Sequence, residues 1–311
     1  MSQHSVVVLF AGQGAQKPGM GRDLAEAYPV ARNLIDRADE ILGFSLSQVM
    51  FDGPTEELTR TSRCQPALYV HGLAVLAVLR ERLPQLHVAA AAGLSLGEFT
   101  AHAAAGTFDF ETGLKLVHAR GTYMEEACEA TGGTMAAMIG GEEAEVKRLA
   151  EDCGVDVANF NAPGQIVLSG TREGVTSAIA RAKEYGIRMA KELTIAGAYH
   201  SRLMQVAQDK LAAELAQTTL QMPMIPVVSN FAARPVESDA DIRETLTRQV
   251  TGSVRWTESI RSVLSAGQDK FLELGPGGVL SGLMSRIQKG TFILSIEDTA
   301  SLEKALVALN G

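Results

Sequence analysis

Short apolar runs alternate with longer amphipathic stretches along this chain, and the alternation predicts a mainly parallel α/β sheet. Residues 6–10 are all apolar, as expected for a strand buried on both faces, and a glycine-rich turn follows at 12–14. Strands separated by helices imply a parallel sheet covered on both sides. The first predicted elements after this strand are helices 22–43 and 65–83, a strand near 87–92, and helices 96–106 and 111–130. We therefore predict a large α/β-hydrolase-like domain formed by 1–130 and 198–311.

The pattern changes at Thr131-Gly-Gly133, where the element order becomes strand, helix, strand, strand, helix, strand. That order, over about 65 residues, is typical of the ferredoxin-like unit. We predict that 131–197 forms a ferredoxin-like subdomain inserted into the larger domain. Its predicted strands are 134–139, 155–160, 165–169 and 187–193, with helices at 142–152 and 172–185. The chain then continues through helix 201–217, strand 226–229, helices near 239–250 and 256–266, strand 270–274, helix 278–287, strand 291–295 and a C-terminal helix.

Gly93-Leu-Ser95-Leu-Gly97 lies between the second predicted strand and a predicted helix. A Gly-x-Ser-x-Gly sequence in that position is the pattern of a nucleophile elbow, a tight turn that holds a serine in strained backbone geometry. The two glycines lack Cβ atoms, so the strand and the helix can approach closely. An ordinary Gly/Ser turn is the alternative. The strand before it and the helix after it favour a catalytic serine at Ser95.

A serine hydroxyl needs a base, and the chain has six histidines. His102 lies on the same predicted helix as Ser95, about 10 Å further along its axis, so it cannot easily reach the serine. His200 lies where the small subdomain returns to the large one, beside a predicted interdomain cleft, and is our choice of base. The remaining histidines are at the N-terminus (His4), within helices (His71, His118) or at the far end of the elbow strand (His87).

No acidic residue stands out as the third member of a triad, and a backbone carbonyl could orient the imidazole instead. The N–H of Leu96 is the natural first donor to an oxyanion, and the turn around Gln13 is a plausible second. Arg120, on a predicted helix, is either a solvated side chain or a clamp for a substrate carboxylate. The sequence Gly275-Pro-Gly-Gly278 fits no phosphate-binding fingerprint and is interpreted as a structural turn.

Composition narrows the class of protein. The chain has 311 residues, 46% hydrophobic and 21% charged, which is typical of a soluble globular protein. A net charge of −8 argues against nucleic-acid binding, and no apolar run approaches the roughly 20 residues of a membrane span. The sequence shows no charged leader or cleavage site. Three cysteines without metal-ligand spacing indicate buried thiols in a reducing cytoplasm and no metal site.

Several motifs together resemble malonyl-CoA:acyl carrier protein transacylases, the acyltransferase family of fatty-acid and polyketide synthesis. The similarity covers nearly the whole chain, and its motifs occur in order. They are Phe10-Ala-Gly-Gln-Gly-Ala-Gln16, Gln65-Pro-Ala67, Gly93-Leu-Ser-Leu-Gly-Glu98, Arg120-Gly-Thr-Tyr-Met124, Asn159-Phe-Asn-Ala-Pro-Gly164, Ala198-Tyr-His-Ser-Arg-Leu-Met204, Arg248-Gln249 with Val254-Arg-Trp256, and Glu273-Leu-Gly-Pro-Gly277.

The resemblance implies roles for these residues. Ser95 would carry the acyl group and His200 would be its base. The N–H groups of Gln13 and Leu96 would form the oxyanion hole, and Arg120 would bind the free carboxylate of malonyl. Gln249 matches the residue whose main-chain carbonyl orients the histidine.

The resemblance also implies partners. The substrates would be malonyl-CoA and an acidic acyl carrier protein whose phosphopantetheine arm brings the acceptor thiol, with no bound cofactor. Arg188 and Lys191 are candidates for docking that partner, although ordinary solvated charges are an equal alternative. We expect a cytoplasmic protein, acting as a monomer.

Two residues depart from the family pattern. Leu94 stands where relatives usually have histidine, and Tyr199 stands where malonyl-specific members commonly have phenylalanine. The tyrosine is similarly bulky, so malonyl remains favoured over methylmalonyl. A trans-acting acyltransferase of a polyketide synthase and an acyl-carrier-protein hydrolase are alternatives, and a non-catalytic scaffold is disfavoured by the intact set of serine, histidine, arginine and glutamine.

Overall fold

The computed structural model describes residues 5–310. In chain order the strands are β1 (Ser5–Phe10), β2 (His87–Gly93), β3 (Thr134–Ile139), β4 (Asp156–Ala162), β5 (Gln165–Gly170), β6 (Met189–Glu192), β7 (Lys270–Leu274) and β8 (Phe292–Ile296). The helices are α1 (Arg22–Ala27), α2 (Pro29–Leu42), α3 (Leu46–Asp52), α4 (Thr55–Thr59), α5 (Thr61–Arg82), α6 (Leu96–Ala104), α7 (Phe110–Thr131), α8 (Glu143–Asp152), α9 (Arg172–Arg181), α10 (Gln205–Gln217), α11 (Asp239–Arg248), α12 (Trp256–Ser265), α13 (Val279–Ile287) and α14 (Thr299–Asn310).

The larger sheet is parallel throughout, in the order β2-β1-β7-β8. Its central strand β1 shows why the first apolar run has no polar positions. Val6, Val8 and Phe10 enter one hydrophobic core, whereas Val7 and Leu9 enter a second core on the opposite face. Successive side chains of a strand point to opposite faces, so a strand covered on both sides is apolar throughout. The prediction of a mainly parallel α/β sheet is confirmed.

The second sheet is antiparallel, with the order β4-β5-β3-β6. Its elements follow one another as strand, helix, strand, strand, helix, strand, and this strand order is that of the ferredoxin-like unit. A separate hydrophobic core lies under this sheet, between it and helices α8 and α9. All its strands fall within the predicted insertion 131–197.

Several predicted elements differ from the structure. The single helix predicted for 22–43 is two helices, because Tyr28 precedes Pro29 and takes an extended conformation that the proline imposes on its predecessor. Helices α3 and α4 were not predicted at all. Helix 201–217 starts only at Gln205, after a short 3-10 turn at 202–204.

Residues 226–229 do not form the predicted strand. They make isolated bridges only, from Val227 to Ala91 and from Val228 to Pro235. The chain turns back at once, since the Ser229 N–H donates to the Arg234 carbonyl. The apolar run is therefore too short to extend the sheet beyond β2.

The predicted helix near 65–83 extends from Thr61 to Arg82 with Pro66 inside it. A proline inside a helix leaves one carbonyl without its usual donor. Here that carbonyl belongs to Ser62, and the His118 Nδ1 lies 3.3 Å from it. A side chain of α7 thus supplies a partner for the carbonyl that Pro66 leaves free.

The sheet topology determines where a site can form. Phe10 and Gly93, the last residues of β1 and β2, pair with each other in the parallel register. The turn containing Gln13 and the turn containing Ser95 therefore leave the sheet side by side. Ligands of open α/β sheets bind outside the carboxyl ends of their strands. Within residues 5–310, no helix combines the length and the apolar character required to cross a bilayer.

Candidate active site

Ser95 occupies a strained turn between β2 and α6. Its backbone angles are φ 55° and ψ −106°, a conformation that residues with a Cβ rarely adopt. A Cβ on Gly93 would lie 2.0 Å from the backbone of Gly97, and one on Gly97 would lie 2.2 Å from the Phe10 carbonyl oxygen. Both glycines are required because the strand and the helix are in backbone contact. The geometry is that of a nucleophile elbow.

His200 lies directly against this serine. Its Nε2 is 2.8 Å from Ser95 Oγ, and its Nδ1 is 2.7 Å from the Gln249 main-chain oxygen. A carbonyl oxygen only accepts, so Nδ1 carries the proton and Nε2 is free to accept the serine proton. Burial, together with the Arg120 charge, lowers the pKa of His200 to about 4. The imidazole is therefore neutral near pH 7, as a general base must be.

Two amide side chains hold the backbone of Ser95. The Ser95 N–H donates to Asn230 Oδ1 at 2.6 Å, and Gln249 Nε2 donates to the Ser95 carbonyl oxygen at 3.0 Å. Asn230 is also bound to the elbow strand, through a 2.7 Å bond from its Nδ2 to the Gly93 oxygen. The sequence did not single out Asn230, which lies 135 residues from Ser95 in a segment without a recognisable pattern. Together these bonds fix the strained turn.

Arg120 is inside the protein, with 1% of its surface exposed. Its Nη2 donates to Ser95 Oγ at 3.0 Å and to Gln249 Oε1 at 2.9 Å, and its Nη1 donates to Gln65 Oε1 at 2.7 Å. No carboxylate lies within ion-pair distance of it among residues 5–310. Burial lowers its pKa to about 10, so the side chain remains charged near pH 7. A buried cation beside the serine favours an anion at the same place.

One predicted oxyanion donor, Leu96, directly follows the serine, and the other, Gln13, lines the same cavity as the serine. Leu96 is the first residue of α6, so its N–H has no acceptor inside the helix and lies at the positive end of the helix dipole. Gln13 lies in the turn after β1 and, like Ser95, lines the cavity described below. The side chain of Gln13 is held aside, since its Nε2 donates to the Tyr199 hydroxyl at 3.2 Å. That hydroxyl is also 2.6 Å from Thr61 Oγ1.

A cavity of about 260 Å³ opens over Ser95 and His200. The large sheet's loops line one side of it and the antiparallel sheet lines the other, through residues such as Met135, Asn159 and Val167. Leu94, the residue that departs from the family pattern, is part of the wall and also packs against the second core. The site therefore lies in the cleft between the two sheets.

The other candidates lie elsewhere. His71, His87, His102 and His118 each pair with groups outside the site, and His4 lies outside the described residues. Arg188 and Lys191 are exposed at β6 and its approach, and neither makes an ion pair within the described part of the chain. The turn at 275–278 binds a carboxylate of the protein itself, because the Gly277 N–H donates to Glu297 Oε2 at 2.9 Å. This supports the interpretation of that turn as structural.

Comparison with known proteins decides the family. Residues 7–294 match the model of the acyl transferase domain. The chain belongs to this family. Acyl transferase domains are enzymes of acyl transfer, and the serine and histidine of the cleft, with the buried arginine bonded to that serine, form a site suited to that chemistry.

Relatives of this acyl transferase align along almost their whole length. The malonyl CoA-acyl carrier protein transacylase of Bacillus subtilis is 39% identical, covering 98% of this chain and 97% of the relative. A polyketide-biosynthesis malonyl CoA-acyl carrier protein transacylase of Bacillus velezensis is 40% identical, covering 92% and 98%.

Solved structures of acyl transferases also superpose closely. An acyl carrier protein S-malonyltransferase from Vibrio cholerae has a TM-score of 0.93 at 38% identity, covering 98% of this chain and 100% of the other. A malonyl-transacylase in complex with a type II polyketide-synthase acyl carrier protein has a TM-score of 0.94 at 36% identity, covering 98% and 99%. The fold, with its parallel and antiparallel sheets, is that of these proteins.

Proposed function

We propose that this acyl transferase moves a malonyl group from malonyl-CoA to the phosphopantetheine thiol of an acyl carrier protein, through a malonyl ester on Ser95. The observation that carries the proposal is Arg120, a buried cation without a carboxylate partner whose Nη2 lies 3.0 Å from Ser95 Oγ. An acyl group with a free carboxylate would supply the direct ion pair that Arg120 lacks. The relatives that are malonyl CoA-acyl carrier protein transacylases support the same substrate and the same kind of acceptor.

In the first half-reaction His200 Nε2 takes the Ser95 proton while the serine oxygen attacks the thioester carbon. The N–H groups of Leu96 and Gln13 stabilise the oxyanion of the tetrahedral intermediate. The C–S bond then breaks, and His200 returns the proton to the departing thiolate of coenzyme A. Arg120 holds the malonyl carboxylate throughout, and its position beside the serine oxygen also favours negative charge there.

In the second half-reaction the thiol of the carrier protein's phosphopantetheine arm enters the same cleft. His200 takes the thiol proton, the sulfur attacks the malonyl ester, and the proton passes back to Ser95. The acyl enzyme must survive between the two steps, so water must be kept from the ester. The apolar lining of the cavity, with Leu94 and Val167, serves this requirement. No resident cofactor or metal takes part in this scheme.

The direct test is mass spectrometry of the protein after mixing with malonyl-CoA. The wild-type chain should gain one malonyl group, and Ser95→Ala should gain none. An equal adduct on the alanine variant would refute the assignment of Ser95. Methylmalonyl-CoA in a parallel sample tests selectivity, where the bulky Tyr199 side chain in the cavity wall leads us to expect the malonyl adduct to dominate.

Two assays separate the neighbouring functions. The rate of transfer to carrier protein divided by the rate of hydrolysis distinguishes a transferase from a carrier-protein hydrolase, which has no use for a carboxylate clamp. A panel of fatty-acid and polyketide carrier proteins distinguishes the two pathways, since relatives from both are equally similar in sequence. We propose fatty-acid synthesis, and equal or faster transfer to polyketide carriers would contradict that choice.

The carrier protein is acidic in this scheme and needs a basic surface. We propose that Arg188 and Lys191 contribute to it, because both are exposed and free of ion pairs within residues 5–310. Transfer to the carrier should weaken with added salt, as exposed charges are screened beyond about 10 Å at 0.1 M. Arg188→Glu should flatten that salt dependence without altering acylation by malonyl-CoA. We further propose a cytoplasmic monomer, which sedimentation of the purified chain tests for the oligomeric state.

A further inference from the structure

Glu98 is an ionisable group of the site that the reaction scheme does not use. It lies on α6, three residues after Ser95, and none of its surface is exposed. Its Oε2 accepts a 2.6 Å bond from Gln249 Nε2 and a 2.9 Å bond from the Asn230 N–H. Its Oε1 has no hydrogen-bond partner among residues 5–310. A buried carboxylate with an unpaired oxygen is costly, so a functional reason for it is worth seeking.

The two partners of Glu98 are the two residues whose side chains hold Ser95. Asn230 accepts from the Ser95 N–H, and Gln249 donates to the Ser95 carbonyl. The Gln249 main chain also accepts from His200 Nδ1. One carboxylate oxygen thus anchors both residues whose side chains fix the nucleophile, and one of them, Gln249, also orients its base.

Glu98 is also the carboxylate through which the Arg120 charge is balanced. Arg120 donates to Gln249 Oε1, and the Nε2 of the same amide donates to Glu98, so a single amide links cation and anion. Of the elements packed against α6, α7 brings Arg120, α5 brings the neutral Gln65 to that arginine, and β1 contains no ionisable side chain. The only ionisable side chain of β2 is His87, at its exposed far end. On α6 itself, His102 lies one turn beyond Glu98, and burial lowers its pKa to about 3; His200 reaches this group only through the Gln249 main chain.

Burial raises the pKa of Glu98 to about 7, while the hydrogen bonds from Asn230 and Gln249, and then the Arg120 charge, oppose that rise. A substrate carboxylate that pairs with Arg120 brings a second buried anion into the site. The Arg120 charge then stabilises the substrate carboxylate and stabilises ionised Glu98 less. Two negative charges sharing one buried cation favour protonation of the weaker acid, which is Glu98.

We propose that Glu98 is a positioning residue that anchors the Asn230 and Gln249 clamps on Ser95, and that it is the counter-charge of Arg120 that takes up a proton when a carboxylated acyl group binds. The proposal rests on the malonyl transfer proposed above. Acylation itself is proton-neutral, because the Ser95 proton leaves on the thiol of coenzyme A as the O–C bond forms and the C–S bond breaks. Any additional proton taken from solvent therefore reports on the protein's own groups.

The experiment mixes the protein with excess malonyl-CoA in weak buffer near pH ~7.5 with an indicator dye, and quantifies the Ser95 adduct in the same samples. The wild type should take up about half a proton or more per acyl enzyme, and Glu98→Gln should form the adduct with no such uptake. Glu273→Gln is the matched control, since Glu273 is an equally buried carboxylate on β7 that accepts from Leu280, Ser281 and Ser295, away from the site. It should behave as the wild type.

The anchoring role has its own readout. Glu98→Gln keeps an oxygen that can accept from Asn230 and Gln249, whereas Glu98→Leu removes it. The leucine variant should therefore be acylated about 10- to 100-fold more slowly, and the glutamine variant should be acylated at close to the wild-type rate. Uptake that is equal in wild type and Glu98→Gln, or absent in a wild type that forms the adduct, overturns the proposal. If the variants fail to fold, wild-type uptake alone decides, because it must decline near pH ~6, where Glu98 is already protonated. A wild type that forms no Ser95 adduct overturns the proposed function and this inference with it.

Discussion

Replacing Arg120 with alanine should reduce malonyl transfer far more than acetyl transfer. Arg120 is 1% exposed and its Nη2 lies 3.0 Å from the oxygen that carries the acyl group. A carboxylate about 4 Å from that charge gains about 4 kcal/mol at an effective dielectric constant of about 20. Measured losses on removing one partner of such a desolvated pair are about 2–5 kcal/mol, which corresponds to about 30- to several thousand-fold in rate.

Part of the loss will be common to every substrate. The substitution leaves the side-chain oxygens of Gln65 and Gln249 without their donor, which costs about 1–3 kcal/mol for each buried group left unpaired. The carboxylate contribution is therefore measured by a ratio. We expect kcat/KM for malonyl-CoA, divided by kcat/KM for acetyl-CoA, to fall by at least about 30-fold in Arg120→Ala.

The control is Arg80→Ala, because Arg80 lies in the last turn of α5 and donates to the Ala104 main chain, whereas the Gln65 that contacts Arg120 lies near the start of that helix. It should leave the ratio unchanged. Arg120→Lys should give an intermediate ratio, since lysine keeps the charge and loses the two-pronged geometry. Equal losses for the malonyl and acetyl donors would show that Arg120 only supports the structure, and would refute the carboxylate clamp.

Three further predictions follow from the geometry. Gly93→Ala should destabilise the fold by several kcal/mol, as its Cβ would lie 2.0 Å from the backbone of α6, whereas Gly282→Ala, with nothing within 4 Å, should be neutral or stabilising in thermal unfolding. Because the pKa of His200 is lowered to about 4, its base form persists as pH falls, so acylation at saturating malonyl-CoA should stay constant from about pH 8 to 6; a decline centred near the ordinary value of ~6.5 would contradict this. Tyr199→Phe leaves the buried Thr61 hydroxyl without its 2.6 Å partner and should lower the free energy of unfolding by about 1–2 kcal/mol in urea titration; an unchanged midpoint would count against the bond.

The elbow could be predicted from sequence because its signal is local. Gly93 and Gly97 flank Ser95 at fixed spacing, and the physical requirement for them is satisfied within a few residues. The apolar run of β1 was equally clear, since burial on both faces leaves no polar position. The break at Tyr28 also has a local cause in Pro29, but the helical spacing of 22–43 led to the wrong prediction of a single helix.

Glu98 and Asn230 could not be found this way. A glutamate on a helix is usually solvated, and its burial here results from α6 packing against β1, β2 and α5, which no single stretch of sequence encodes. Asn230 reaches Ser95 only because the chain returns beside β2 more than a hundred residues later. Gln249 was reached through resemblance alone, since a main-chain carbonyl has no sequence signature.

That carbonyl has a consequence for how the enzyme can be altered. Gln249 is the C-cap of α11, so the oxygen that accepts the hydrogen bond from His200 Nδ1 belongs to the negative end of a helix. Alanine scanning will not remove it, because every residue supplies the same atom. The orientation of the base therefore depends on how firmly the last turn of α11 is docked. Substitutions along that helix, remote from any substrate, are expected to change catalysis by moving a peptide group that mutagenesis of the site itself leaves intact.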